Sequence, residues 1–401
     1  MKLSFIKNTV LLFVVVLLSC GNRTTDKNES LPIVGANQLA VYLPILEGKN
    51  IGVVANQTTV IFKNNRDLTG AHMHLVDSLL KLGIKIKKVF APEHGYRGKA
   101  DAGEYVKDGV DIKTGLPIVS LYGANRKPNP EILRDLDVVI FDVQDVGARF
   151  YTFVSTLHYM METCAALNIP ILILDRPNPN GHYIDGPILD LNYKSFVGMH
   201  PVPVMHGMTI GEYAKMINGE GWLENGIQCE LKIIPVVNYH HKKIYNLPIK
   251  PSPNLPNAKA VNLYSSLCFF EGTNVSSGRG TSTQFQVYGS PFLNLEKYNY
   301  MFTPKPNLGA KNPMHNGVKC FGKELTDSEF LSSINLEWLI DAYINTSNKS
   351  DFFNPFFTKL AGQTKLQQQI ESGKSANTIR ESWQKELEAF KKIRANYLLY
   401  P

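Results

Sequence analysis

The stretch IKKVFAPEHGYRG, residues 86–98, points to the fold of the whole chain. Its apolar first half is typical of a β-strand, and Pro92 ends that strand because proline cannot donate a hydrogen bond to a neighbouring strand. Glu93 and His94 therefore follow directly after the carboxyl end of the strand, where open α/β sheets bind their ligands. An acid beside an imidazole suits proton transfer. The alternative is that these polar side chains only cap the next helix.

Four apolar segments between residues 50 and 179 repeat this arrangement, each followed at once by polar side chains. Helical patterns separate the segments, and buried strands that alternate with helices predict a doubly wound α/β fold with a mostly parallel sheet. Because the carboxyl ends of parallel strands meet at one edge of the sheet, we expect the polar side chains to form a single site there. They are Asn56 and Gln57, Glu93 and His94, Asp142, Gln144 and Asp145, and Asp175 and Arg176.

Several functional classes lack support in the sequence. No GxGxxG motif follows a predicted strand, and there is neither a Walker loop nor a GxSxG elbow, which argues against a dehydrogenase, an NTPase and a serine hydrolase. His72 with His74, and His240 with His241, could bind a metal, but no matched carboxylate lies nearby, so we predict neither a metal nor another cofactor. The net charge of +7 is spread along the chain and gives no reason to expect a nucleic acid as a partner.

The N-terminus predicts a lipid-anchored protein. Lys2 and Lys7 precede an apolar run that ends in Leu-Leu-Ser-Cys at Cys20, and this ending resembles a bacterial lipoprotein box. We expect cleavage before Cys20 and lipid attachment to it, which makes residues 1–19 a signal peptide and residues 20–35 a polar tether. The protein would then be anchored in the cell envelope and face the periplasm, with the outer membrane as one candidate location. An ordinary signal peptide and an uncleaved anchor are the alternatives.

The remaining chain of about 380 residues is long enough for two domains. Beyond Gly181 glycine, proline and histidine become frequent, and residues 248–256, PIKPSPNLP, are typical of an extended linker. An apolar segment then leads to a second polar, glycine-rich loop that carries Glu271 and Arg279. From Leu325 onward the pattern predicts mostly helix.

Six motifs in this order resemble the exo-β-N-acetylmuramidase family, glycoside hydrolase family 171. The motifs are VANQT at 54–58, APEHGYRG at 91–98, DVQDVGARFYT at 142–152, LDRPNPNG at 174–181, PVMHGMTIGEYA at 203–214 and FFEGTNVSSGRGT at 269–281. The resemblance implies a Rossmann-like catalytic domain, placed at residues 36–245, and a smaller α+β domain, placed at residues 246–401, with the active-site cleft between them. It also implies removal of β-1,4-linked N-acetylmuramic acid from the non-reducing ends of peptidoglycan fragments, and it matches Glu93 to the proposed catalytic glutamate of the family.

Glycosidic bond cleavage needs a proton for the leaving oxygen and a group that stabilises or traps the oxocarbenium-like centre. Glu93 is the expected acid, and His94 could orient it or bind sugar. For the second role Asp142, Asp145 and Glu271 are candidates, and so is the acetamide of the substrate. A second carboxylate about 5 Å from the acid would predict retention, and one at about 6.5–9.5 Å would predict inversion.

Substrate recognition has its own candidates. Arginine binds carboxylates through two parallel hydrogen bonds, so one of three arginines is expected to bind the lactyl carboxylate that distinguishes muramic acid from glucosamine. These arginines are Arg149, Arg176 and Arg279. The sugar subsite is expected to include Asn56, Gln57, Asp145 and Tyr151.

Two other functional classes stay open at this point. The first is a peptidoglycan-binding lipoprotein whose cleft recognises muramoyl glycans without turnover. The second is a different hydrolase that removes esters from the envelope, which the missing GxSxG elbow and the weak metal pattern make less favoured. Turnover of a synthetic muramide separates the first class from the glycosidase, and incubation with a chelator tests a metal-dependent form of the second.

Overall fold

Ile51–Ala55 forms the first strand, and all five of its residues are buried. Val54 faces one hydrophobic core, whereas Ile51, Val53 and Ala55 face another, so the sheet is covered on both sides. The computed structural model describes residues 30–401 apart from 65–69, 99, 102 and 105.

The strands and α-helices of the described residues have the following bounds. The strands are β1 (Ile51–Ala55), β2 (Val60–Phe62), β3 (His72–His74), β4 (Ile86–Ala91), β5 (Gly109–Val110), β6 (Pro117–Ser120), β7 (Val138–Asp142), β8 (Ile171–Leu174), β9 (Leu231–Ile234), β10 (Val287–Ser290), β11 (Tyr300–Phe302) and β12 (Cys320–Glu324). The α-helices are α1 (Leu39–Leu46), α2 (Leu75–Lys81), α3 (Phe153–Ala166), α4 (Ile210–Gly219), α5 (Ala258–Leu267), α6 (Glu337–Ile344), α7 (Phe356–Ala361), α8 (Lys365–Glu371), α9 (Ala376–Glu381) and α10 (Gln384–Ala395).

Within the described residues, seven strands form the main sheet in the spatial order β5-β6-β4-β1-β7-β8-β9. Neighbouring strands are parallel except for β5, which pairs antiparallel with β6. The chain moves outward from β1 to β4 and β6, then returns to the other side of β1 with β7. This reversal is the mark of a doubly wound sheet, and the predicted α/β fold with a mostly parallel sheet is confirmed.

The two cores have different extents. Helices α1 and α2 pack on one face of the sheet through residues such as Tyr42 and Leu79. On the other face, α3 and α4 share a single core with the C-terminal helices, to which Phe357 and Leu387 contribute. A separate antiparallel sheet in the order β10-β12-β11 belongs to this smaller C-terminal part, as the resemblance implied. The core on the α3 and α4 face of the main sheet therefore includes side chains from the C-terminal part.

Two helix boundaries differ from the sequence pattern. The periodicity predicts a helix from Met73, but residues 72–74 pair as a strand with β2 and the helix begins at Leu75. The side chain of His74 accepts a hydrogen bond from the backbone N–H of Val76 and so caps the helix. The pattern also predicts one long helix near residues 376–396, but it is interrupted between α9 and α10 at Trp383, whose side chain is buried in the core.

The membrane anchor predicted at Cys20 lies outside the described residues. Within residues 30–401, apart from the gaps named above, no helix is both long and apolar enough to span a bilayer.

Candidate active site

A cavity of about 610 Å³ opens at the carboxyl end of β4 and reaches the C-terminal part of the chain. Its wall includes side chains from the tip of the sheet, from the start of α3 and from the loop after α5. Among the lining residues are Glu93, His94, Glu104, Tyr122, Tyr151, Thr152, Cys268, Glu271, Arg279, Phe285 and Lys311.

The Glu93 carboxylate is held from several sides. It is 8% exposed; Oε1 accepts the backbone N–H of Gly103 at 2.9 Å and Oε2 accepts the hydroxyl of Thr152 at 2.6 Å. Burial, the charge of Glu93 and a hydrogen bond to it raise the pKa of the Tyr122 phenol, so this hydroxyl also lies against the carboxylate. An acid at the end of a buried strand is thus fixed in orientation where it meets the cavity.

The loop after β4 owes its position to the C-terminal part of the chain. Asp101 accepts the backbone N–H groups of Gly309 at 2.9 Å and of Lys311 at 2.5 Å, and Lys311 Nζ lies 2.6 Å from Glu104 Oε1. These contacts hold the segment that presents the Gly103 N–H to Glu93. The loop that carries Glu93 is therefore completed by contacts from more than 200 positions further along the chain.

His94 adopts a left-handed backbone conformation with φ of 70°, which is rare for a residue other than glycine and is concentrated at functional sites. Its Nδ1 lies 3.0 Å from the carbonyl oxygen of Ala100, and because a carbonyl only accepts, Nδ1 carries the proton. Burial lowers the pKa of His94, and the charge of Glu93 opposes this only in part. The ring is therefore neutral, and Nε2 is left as a hydrogen-bond acceptor.

A second carboxylate, Glu271, faces the same cavity. Arg279 Nε donates to Glu271 Oε1 at 2.7 Å, and the guanidinium lies 5.1 Å from the centre of the Phe285 ring. Burial is the main reason why the pKa of the Cys268 thiol is raised, and the negative charges of Glu271 and Glu93 raise it further. Both carboxylates therefore influence this part of the cavity wall. Two carboxylates from distant parts of the sequence thus share one cavity.

Known proteins resemble this chain over most of its length. Models of the N-terminal and C-terminal domains of exo-beta-N-acetylmuramidase NamZ match residues 51–259 and 262–400. The peptidoglycan beta-N-acetylmuramidase NamZ of Bacillus subtilis (strain 168) is 38% identical over 379 residues, which are 90% of this chain and 89% of that protein. A crystal structure of a DUF1343 family protein from Bacteroides fragilis NCTC 9343 has a TM-score of 0.83 and 46% identity, and covers 92% of this chain and 99% of its own. A second such protein from that organism has a TM-score of 0.78 and 25% identity, with 93% and 100% covered.

The chain belongs to the exo-β-N-acetylmuramidase NamZ family. It is a glycosidase, and the resemblance drawn from its motifs is confirmed. The two NamZ matches meet near residues 260–261. The domain boundary placed from the sequence between residues 245 and 246 stays a prediction.

In this NamZ family member Asp142 and Arg176 do not face the cavity. Arg176 Nε and Nη2 donate to the two carboxylate oxygens of Asp142 at 2.6 and 2.9 Å, and both side chains are buried. Arg176 also donates to the carbonyl of Val60 at 3.1 Å. The prediction of a catalytic Asp142 and a substrate-binding Arg176 is corrected, because the two neutralise each other inside the protein.

The prediction that Arg149 binds substrate is also corrected. Its side chain has no exposed surface, and its Nη1 and Nη2 atoms donate to four backbone carbonyls at 2.7–2.9 Å. Two of these carbonyls, at Leu360 and Ala361, belong to α7. Arg149 therefore connects the α/β part to the C-terminal part and leaves Arg279 as the candidate for the lactyl carboxylate.

The polar side chains at the other strand ends form hydrogen bonds with neighbouring residues and with the linker. Asn56 is buried and accepts hydrogen bonds from Thr58, and Gln57 Nε2 donates to the carbonyls of Lys250 and Pro251. The Asp145 carboxylate accepts a backbone N–H, and burial raises its pKa to about 7. Asn56, Gln57 and Asp145 lie outside the cavity wall, which corrects their assignment to the sugar subsite.

The linker predicted at residues 248–256 explains why these strand ends do not line the cavity. Its Pro251 carbonyl accepts hydrogen bonds from Gln57 and from the hydroxyl of Tyr151 at 2.9 Å, so the linker covers the ends of the central strands. The ring of Tyr151 lines the cavity, and its place in the sugar subsite stays a prediction. Of the four polar strand ends named from the sequence, the tip of β4, with Glu93 and His94, opens into the cavity.

Sequence reasoning missed three contributors to the site. Thr152 is the last residue of the motif at 142–152, and Tyr122 and Gly103 follow β6 and β4 in loops with no distinctive pattern. A hydroxyl placed at the start of a helix was a signal that could have identified Thr152. The other two depend on loop conformation.

Neither histidine pair is part of a metal cluster. His74 lies 3.0 Å from the Asn56 carbonyl through Nε2, and His241 lies 3.1 Å from Glu212 through Nε2. Among the described residues no group of three or more histidine, cysteine, aspartate or glutamate side chains is arranged to hold a metal ion.

Proposed function

We propose that this protein removes N-acetylmuramic acid from the non-reducing ends of peptidoglycan fragments during cell-wall turnover and recycling, with Glu93 as the general acid. The observation that carries the proposal is the placement of Glu93 and the Glu271–Arg279 pair on one cavity. The Bacillus subtilis relative, named for a peptidoglycan beta-N-acetylmuramidase, supports the choice of substrate. A muramoyl glycan bound without turnover would not need a buried, hydrogen-bonded acid at this position.

Glu93 delivers a proton to the glycosidic oxygen as the bond to the leaving sugar breaks. The hydroxyl of Thr152 can donate to the carboxylate and accept from the carboxylic acid, so it holds Glu93 in both protonation states. The Gly103 N–H fixes the other oxygen. His94 Nε2 accepts a sugar hydroxyl, because its Nδ1 is already occupied by Ala100.

Glu271 takes the second role. Positive charge develops at the anomeric carbon in the transition state, and a carboxylate across the cavity stabilises it. Of the carboxylates considered from the sequence, Glu271 lines the cavity together with Glu93, whereas Asp142 and Asp145 do not. Gly272 allows this arrangement, because a Cβ there would lie 2.4 Å from the backbone of Phe357 in α7. The loop can therefore bring Glu271 against the C-terminal part.

Arg279 recognises the lactyl carboxylate of muramic acid. Its Nε and Nη2 atoms are used by Glu271, and within the described part of the chain Nη1 has no hydrogen-bond partner. The side chain is 23% exposed, so the guanidinium reaches the cavity. A planar guanidinium with a free edge suits a carboxylate, and glucosamine offers none.

Replacement of Arg279 by Met is expected to remove the preference for muramides. The parent protein should hydrolyse a chromogenic N-acetylmuramide far faster than the matching N-acetylglucosaminide. In Arg279→Met we expect the ratio of the two kcat/KM values to fall by about 10- to 100-fold, because a charge-assisted hydrogen bond contributes roughly 1.5–3 kcal/mol.

The matched control is Lys311→Met, which removes an exposed cation from the rim of the same cavity. Its selectivity ratio should stay close to that of the parent. Loss of Glu271 positioning would slow both substrates alike, so the ratio isolates lactyl recognition. An unchanged ratio in Arg279→Met would contradict the assignment, and a parent protein without muramide turnover would contradict the proposed function.

We also propose that a lipid on Cys20 anchors the protein in the cell envelope, facing the periplasm. The motif before Cys20 and the polar residues that follow it support this location. Cys20→Ala should move the protein from the membrane fraction to the soluble fraction, as measured by fractionation and immunoblotting. Cys320→Ala, which removes a buried thiol, is the control and should remain in the membrane fraction. Retention of Cys20→Ala in the membrane fraction would mean that another segment anchors the protein.

A further inference from the structure

The N-terminal segment joins the fold at the β9 edge of the main sheet. The backbone of Ile33 pairs with Val237 in both directions, with N–O distances of 2.9 and 3.0 Å. Cys20 precedes Ile33 by 13 positions, and a chain of that length spans at most about 45 Å. A lipid on Cys20 would therefore keep this edge of the protein close to the membrane surface.

The chain that follows Val237 forms the wall of a cationic cavity of about 620 Å³. Lys242, Lys391 and Arg394 line it, together with His241, which is only 8% exposed. His241 Nε2 faces the Glu212 carboxylate at 3.1 Å, and its Nδ1 is buried without a hydrogen-bond partner among the residues that the structure describes.

The cations of this cavity are compensated only in part, and Arg394 also donates to the carbonyl of Gly207. The Glu212 carboxylate lies beneath His241 and also accepts the backbone N–H groups of Leu399 and Tyr400. Lys391 pairs with Glu388 at 2.7 Å, but Lys242 is exposed and makes no ion pair with the described residues.

An apolar cavity of about 530 Å³ lies next to the cationic one, and His182 and Lys242 line both. Ile244 and Phe330 belong to its wall and are 84% and 57% exposed. Lys259 Nζ lies 4.4 Å from the centre of the Phe330 ring. Two large apolar side chains therefore project into solvent among cations.

We infer that this edge of the protein docks against the surface of an anionic phospholipid bilayer. The basic–apolar surface, defined as Lys242, Ile244, Phe330, Lys391 and Arg394, has the two components that such binding needs. Lysine and arginine attract anionic headgroups, and apolar side chains enter the boundary between headgroups and acyl chains. Lys242 follows Val237 by five residues, so this part of the surface lies within about 18 Å of the point where the tether joins the fold. A lipid anchor together with this surface would fix the orientation of the body relative to the membrane.

The inference depends on the proposed anchor only for the proximity of the bilayer, and its test separates the two. The full chain carries one added cysteine with an environment-sensitive dye, because Cys20 would be blocked by its lipid and Cys164, Cys229, Cys268 and Cys320 are buried. Ile244→Cys places the dye on the basic–apolar surface. Ile112→Cys is the matched control, since Ile112 is fully exposed beside β5, at the opposite edge of the sheet.

Each labelled protein is mixed with vesicles of phosphatidylglycerol and phosphatidylcholine that carry a lipid-bound quencher. We expect quenching at position 244 and little at position 112. Lys242→Glu in the Ile244→Cys background should weaken the quenching by about fivefold for each unit of charge changed. Lys85→Glu, an exposed lysine that precedes β4, should leave the quenching unchanged.

Equal quenching at positions 244 and 112, or none at either, would overturn the inference. The same would follow if quenching at 244 were as strong with pure phosphatidylcholine vesicles as with anionic ones. Failure of the anchor appears separately, as loss of the full chain from floated vesicles in high salt. Muramide turnover by all variants should match the parent, because none of these residues lines the catalytic cavity.

Discussion

Glu93→Gln is expected to reduce release of N-acetylmuramic acid from a chromogenic muramide by about 100- to 10,000-fold, the range for loss of a general acid. Glutamine keeps the shape of the side chain and can still bond to Gly103 and Thr152, but it cannot give a proton to the leaving oxygen. The loss should appear in kcat, because the interaction that is removed exists only in the transition state.

Two comparisons make this expectation specific. A muramide with a strongly acidic leaving group needs less protonation, so Glu93→Gln should lose less activity on it than on a natural disaccharide. Glu104→Gln removes another carboxylate from the same cavity, one already paired with Lys311, and should lose less than tenfold. Near-parental turnover by Glu93→Gln, or an equal loss in both variants, would show that Glu93 is not the acid.

The fold was accessible from the sequence because its signals are local. Each buried strand of the main sheet is a short apolar run, and a polar residue follows its carboxyl end. In β4, Pro92 ends the strand and Glu93 is the polar residue that follows. The doubly wound strand order then follows from alternation with helices. Boundaries failed where tertiary pairing overrides helix periodicity, as in the pairing of His72–His74 with β2.

The site could be predicted only in part from the sequence, because strand ends that meet at one edge of a sheet need not open into one cavity. A doubly wound sheet usually binds ligands at the reversal point, here between β1 and β7. In this protein the linker covers that point through Pro251, and the cavity opens one strand away, at Glu93. Hydrogen bonds between residues about 100 to 200 positions apart, such as those of Tyr151 and Gln57, decide this, and no local pattern predicts them.

The arginines illustrate the same limit. A guanidinium that follows a strand suits a substrate carboxylate and a buried carboxylate equally well. Arg176 and Arg279 each bond to an acid, but Arg176 and Asp142 are almost completely buried, whereas Arg279 and Glu271 are each about a quarter exposed. The degree of burial, which depends on the covering linker and helices, separates a structural pair from the pair proposed to act on substrate.

Arg176→Leu should therefore lower the stability of the fold and should not change the preference for muramides directly. It leaves the Asp142 carboxylate buried without a counter-ion, and removal of one partner of a buried ion pair costs about 3–5 kcal/mol. Unfolding in urea should show this decrease in the free energy of unfolding, with the slope of the transition unchanged.

The double variant Asp142→Leu/Arg176→Leu distinguishes the structural role from a catalytic one. Both charges are then absent, and apolar replacement of a buried pair is often neutral, so most of the lost stability should return. Turnover and the preference for muramides should return with it if neither residue touches substrate. As a surface control, Arg134→Leu breaks the exposed pair with Glu131 and should change the free energy of unfolding by less than about 1 kcal/mol. A stable double variant that has lost activity would restore Asp142 or Arg176 to the catalytic site, because the charges would then be needed for chemistry and not for folding.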